Sequence, residues 1–90
     1  AVNMLTLVYN KEFIKSARLL PSKQQQRLAT LLSHATTNPF HPLLHTKHLT
    51  GALAGLLSFR VTRDWRVIFQ FVNQDTVHLL RVAHRKDIYR

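Results

Sequence analysis

The sequence contains no cysteine. Disulfide stapling and thiolate chemistry are therefore excluded, and nothing points to an oxidising compartment. Only two glycines and three prolines occur, against 46% hydrophobic residues, a globular rather than a disordered composition. No apolar run approaches the about 18 residues of a membrane-crossing helix, and no signal-peptide pattern opens the chain. A soluble cytoplasmic protein without a membrane partner is expected. Met4 opens a strand-like segment, so Ala1–Asn3 are expected to precede the natural start or to reflect ordinary processing.

Acidic residues are also scarce. Thirteen Lys and Arg against four Asp and Glu give a formal charge of +9 over 90 residues. That length suits one domain, residues 1–90, with a small core that must be packed efficiently. Arginine exceeds lysine, which favours geometric recognition of phosphate or carboxylate over simple solubility. The charge implies an anionic partner: nucleic acid, an acidic protein or, less readily, a membrane surface.

Leu5–Tyr9 reads as a first strand. Asn10 can cap a helix in which Phe13, Ala17 and Leu20 recur at helical spacing, and Pro21 ends it. Ser22-Lys23-Gln24-Gln25 has the spacing of a capping box, and Leu28, Leu31, Leu32 and Ala35 form the apolar stripe of a second, longer helix closing near Thr36–Asn38. The segment Pro39–Gly55 reads as irregular. Its histidines, His41, His45 and His48, are expected to be ordinary loop residues, because prolines interrupt any helix that would align them into a metal site.

From Leu57 the hydrophobic period becomes two. Strands are expected over 57–62, 65–72 and 76–83, forming an antiparallel meander with one face available for helices. A three-residue turn, Thr62-Arg63-Asp64, puts Leu57, Phe59, Val61, Trp65, Val67, Phe69 and Phe71 on one apolar face. It also sets Arg60 opposite Arg66 on the other, whereas an even-length turn would drive Arg66 into the apolar side. Two arginines facing each other across a sheet repel unless an anion lies between them, Asp64, Asp75 or Asp87 being the internal possibilities. In the last strand neither face is clean, and alternation leaves open whether His84 or Arg85 joins the pair.

Leu49-Thr50-Gly51, Gly55, Ser58-Phe59-Arg60-Val61-Thr62, Trp65-Arg66-Val67-Ile68-Phe69-Gln70-Phe71 and Val82-Ala83-His84-Arg85-Lys86-Asp87-Ile88-Tyr89 occur in an ordered set. Together with the early strand, the two helices and Asn38-Pro39, this set resembles the RelE/ParE toxin superfamily of type II toxin–antitoxin systems. The resemblance implies a compact α+β fold, with an N-terminal strand and two helices packed on a mainly antiparallel sheet. It also implies a cognate acidic antitoxin and no metal or cofactor.

In the ribonuclease branch it further implies entry into the A site of the 70S ribosome, contact with ribosomal RNA and cleavage of messenger RNA. In such cleavage the 2′-hydroxyl attacks the adjacent phosphate and the 5′-oxygen leaves. Arg66 and Arg85 match the family's phosphate-clamping arginines, and Arg60 falls close to a basic residue of the preceding strand. His84 is a proton-transfer candidate because an imidazole's ordinary range suits neutral pH. Tyr89 matches a C-terminal tyrosine that stacks on a splayed base or orients the scissile phosphate.

Lys47 stands about where one branch carries a glutamate base, and Ser58 occupies a position where another carries lysine. A lysine acts as a base only after losing its proton, which neighbouring arginines would encourage, so the general base stays unassigned. Two other readings share the fold: a non-enzymatic toxin that inhibits DNA gyrase, and a non-toxic basic nucleic-acid-binding module.

Overall fold

The computed structural model describes residues 4–89; the reading of Ala1–Asn3 lies outside them. Its elements are β1 (Thr6–Tyr9), α1 (Lys11–Arg18), α2 (Ser22–Thr37), β2 (Lys47–His48), β3 (Leu57–Arg60), β4 (Trp65–Asn73) and β5 (Thr76–His84). Single 3-10 turns occur at Pro42–Leu44, Gly51–Leu53 and Arg85–Asp87. The sheet runs in the order β1-β5-β4-β3-β2, with β1 parallel to β5 and the other pairs antiparallel. This is the expected α+β architecture.

Local chemistry explains the helix ends, with one correction. Asn10 Oδ1 accepts the Phe13 N–H at 2.8 Å and starts α1. The capping box expected at Ser22 does not form. The Pro21 carbonyl accepts from Gln24 and Gln25 N–H instead, and Gln25 Nε2 donates to the Leu20 and Arg18 carbonyls at 2.8 and 3.1 Å. With α1 ending immediately before α2, its orphan carbonyls are the nearer acceptors for the glutamine amide.

The hairpin register follows the odd-length turn. Arg60 pairs with Arg66, Phe59 with Val67 and Leu57 with Phe69, while the Val61 and Thr62 N–H groups both donate to the Trp65 carbonyl. Leu57, Phe59, Val61, Val67 and Phe69 are buried beneath the helices with Phe13, Leu28, Leu31, Val77, Leu79 and Val82; Trp65 packs at the margin. Phe71 departs from the pattern. It lies beyond the end of β3, is exposed, and stacks on Phe40 at 6.3 Å.

β5 contains the irregularity that blurs its alternation. Ile68 pairs with Arg81 but Phe69 with Leu79, so Leu80 is extra and the facing of the strand shifts by one there. Val77, Leu79 and Val82 thereby all reach the helix-covered core. Ser16 Oγ of α1 accepts the Val82 N–H at 2.8 Å just past this point and ties the helix to the strand.

The opposite face is not simply polar, as a one-sided sheet would require. Leu49, Ile68, Ala83 and Ile88 form a second buried cluster, with Leu53, Leu56 and Leu80 against it. The loop expected to be irregular provides its lid: Gly51 and Gly55 adopt φ of 62° and 95°, and the Leu49 N–H donates to the Leu56 carbonyl at 2.9 Å. The short strand β2 inside that loop carries little periodic signal, and the sequence reading did not include it.

Candidate active site

The second cluster forms the floor beside a row of polar and cationic side chains. Ser58 and Arg60 are two residues apart on β3 and so point to the same face, about 7 Å apart along the strand. Lys47 of β2 stands across from Ser58, and Arg66 of β4 across from Arg60. Strand pairing thus creates a basic face from residues scattered through the sequence.

Arg60 is only partly exposed, and its Nε is buried with no hydrogen-bond partner among the described residues. Ser58 Oγ is likewise buried and unpartnered. Arg66 Nη2 donates to the Arg63 carbonyl at 3.3 Å. Burial, then the charges of Arg60 and Arg85, push the Arg66 guanidinium below its usual value, while Asp64 acts in the opposite sense. Asp64 forms an ion pair with Arg85 Nε at 3.3 Å, between side chains about half exposed. That solvated contact is weak. The carboxylate of Asp64 thus goes to Arg85 rather than to Arg60 or Arg66.

The C-terminal turn delivers the remaining groups. Arg81, facing the arginine side through its pairing with Ile68, donates from Nη2 to the Ile88 carbonyl at 3.3 Å. Next to that anchor, Tyr89 extends into solvent, and its hydroxyl oxygen accepts the Thr50 N–H at 3.2 Å. Hydrogen bonding from the Thr50 backbone, followed by that from its side chain, holds the Tyr89 hydroxyl below the ordinary tyrosine range. Lys47 adds to the effect and burial opposes it.

His84 does not join this face. It pairs with Trp65 and meets its indole edge-on at 5.2 Å, on the side opposite Arg66 and Ala83. Its Nδ1 accepts the Lys86 N–H at 3.3 Å and so caps the turn carrying Arg85. The structure brings together Arg60, Arg66 and Arg85, the charges of the first and last both acting on Arg66, and sets Lys47 near enough to Tyr89 to act on its hydroxyl. The sequence reading did not single out Arg81 as a support, because the bulge that aims it lacks a clear sequence signal.

Residues 7–89 match the family model described as ParE toxin of type II toxin-antitoxin system, parDE. The chain belongs to the ParE toxin family. A comparison with curated proteins finds no match. Among solved structures, the toxin is similar to the YoeB/ParE toxin from Agrobacterium tumefaciens, with a TM-score of 0.76, 18% identity and coverage of 89% of this chain and 98% of that one. A chain of the archaeal RelE–RelB complex from Pyrococcus horikoshii gives a TM-score of 0.76 at 21% identity, covering 93% and 98%. The RelB–RelE antitoxin–toxin complex from Methanococcus jannaschii gives 0.73 at 25% identity, covering 91% and 94%. Among the described residues of the toxin, no helix is long and apolar enough to cross a membrane.

Proposed function

We propose that this toxin is a metal-independent endoribonuclease that enters the ribosomal A site in the cytoplasm and cuts messenger RNA on its arginine face. The observation carrying this reading is the Arg60–Arg66 cross-strand pair, whose Arg60 Nε is buried without a partner. A phosphate between the guanidinium groups relieves their repulsion and satisfies that donor. It also receives stabilisation when charge grows on its equatorial oxygens during attack.

Tyr89 is the proton acceptor in this reading, since the Thr50 hydrogen bond and Lys47 favour its anion. It removes the 2′-hydroxyl proton as that oxygen bonds to phosphorus. The phosphorus–5′-oxygen bond breaks, solvent protonates the departing oxygen near Arg85, and the products are a 2′,3′-cyclic phosphate and a 5′-hydroxyl. Lys47 and Arg85 complete the electrostatic clamp. His84 serves as a cap that orients the Arg85 turn. An acidic antitoxin is the expected neutralising partner, since several similar solved structures are toxin–antitoxin complexes.

The test is to map messenger RNA ends after incubation with translating ribosomes, using wild type, Arg66→Ala and Tyr89→Phe. Cuts in the A site that vanish in both variants support the reading. A second reading, inhibition of DNA gyrase without RNA cleavage, is favoured by the ParE family match and by the turning of His84 away from the arginine pair. Intact message together with inhibited supercoiling would establish that alternative.

A further inference from the structure

The helix side of the sheet carries a second basic surface. Lys23, Arg27 and His34 lie four and seven residues apart on α2, and so along one side of the helix, spanning about 16 Å. They border a groove of about 290 Å³ that also includes Gln26, Thr30 and Leu43. α2 contains no acidic residue, and none of the chain's four acids lines the groove.

Two features make this more than a solvated helix face. Arg27 Nε donates to the Val61 carbonyl at 2.6 Å, which fixes the guanidinium against the β3–β4 turn and leaves its terminal nitrogens to the groove. At the far end, His34 stacks on His41 at 4.4 Å with the rings 30° apart. The Leu43 N–H donates to His41 Nδ1 at 3.1 Å, holding that ring in place. The groove therefore presents a held guanidinium, an exposed ammonium and a planar aromatic end.

We infer that this groove binds the phosphodiester backbone of a nucleic-acid duplex, as a contact surface separate from the cleavage face. An acidic protein segment fits less well, because tight protein docking relies on buried apolar anchors. Here Leu31 is already buried in the core, which leaves Leu43 as the groove's apolar contact. The β3–β4 turn links the two surfaces: Arg27 bonds to Val61 from the helix side and Arg66 bonds to Arg63 from the other. A toxin with both surfaces can grip a strand on one side and a folded nucleic acid on the other.

The test is fluorescence anisotropy with short labelled RNA and DNA duplexes across about 50 to 200 mM salt. It compares wild type with the double variant Lys23→Glu/Gln26→Glu. Both positions are exposed and lie near the start of α2, where acidic residues favour the helix, so folding is retained. The variant is expected to bind about ten-fold more weakly at low salt, with a log–log salt slope shallower by about 1. The duplex showing the larger loss identifies RNA or DNA as the source of the backbone. Unchanged affinity and slope for both duplexes overturn the inference. So does loss of polyglutamate binding with duplex binding intact, which would mark the groove as a protein interface. Duplex binding is independent of mRNA cleavage, so failure here leaves the ribonuclease reading standing, and the reverse also holds.

Discussion

Replacing Arg60 with methionine should stabilise the toxin while disabling its proposed site. Arg60 faces Arg66 across the β3–β4 pair and carries a buried, unpartnered Nε. Like charges directly opposite each other across a strand pair cost on the order of 1 kcal/mol. An orphaned buried donor costs about 1–3 kcal/mol, and the lower end applies because Arg60 is still partly exposed. Methionine retains the packing of the aliphatic stem. The net gain is therefore about 2 kcal/mol, which for a domain of this size raises Tm by about 10 °C. Thermal melts at low salt, checked by urea midpoints, provide the measurement. Added sulfate should raise the wild-type Tm more than that of Arg60→Met, because an anion bound to the pair stabilises the folded state only where the pair exists. A variant that melts below wild type at low salt would refute the reasoning, since Arg60 would then contribute more through contacts than it costs through strain.

Three further outcomes follow from the same face. If Tyr89 is the base, cleavage should rise with pH along a limb lying below the ordinary tyrosine value of about 10, because the lowered hydroxyl reaches its working anion earlier. Tyr89→Phe should abolish that limb, and an unchanged pH–rate profile would remove Tyr89 from the role. His84→Asn retains an acceptor for the Lys86 N–H and should cut within about ten-fold of wild type, whereas loss of a general acid or base costs about 100-fold or more. Ile68→Ala empties the centre of the second cluster and should cost about 2–5 kcal/mol in chemical denaturation. It should also loosen the C-terminal turn, visible as faster hydrogen exchange at residues 85–88.

The arginine pair is the feature written most firmly in the sequence. It followed from strict alternation on both sides of Thr62-Arg63-Asp64, since a one-residue change in turn length would have buried a charge. Asn10 as a cap, the α2 stripe and Pro21 as a break were legible for a similar reason: each depends on neighbours within a few residues. The second face was not. Its floor combines Leu49, Ile68, Ala83 and Ile88, which come from four separate segments and have no shared period.

The fate of His84 was equally hidden. The alternation of faces along β5 breaks at a bulge, and the extra Leu80 decides that Arg81 shares the face of the arginines. Pairing with Trp65 then turns His84 away from them. Gln25 shows the same division on a smaller scale: its spacing from Ser22 suggested a local cap, but the carbonyls at the end of α1 offered better acceptors once the helices were adjacent. Sequence by itself determined both helices, four of the five strands, the charge and the cross-strand arginines, because side-chain period and local hydrogen bonding operate over short stretches. Tertiary structure decided which groups share the site, because burial and strand pairing join residues whose only relation is proximity in space.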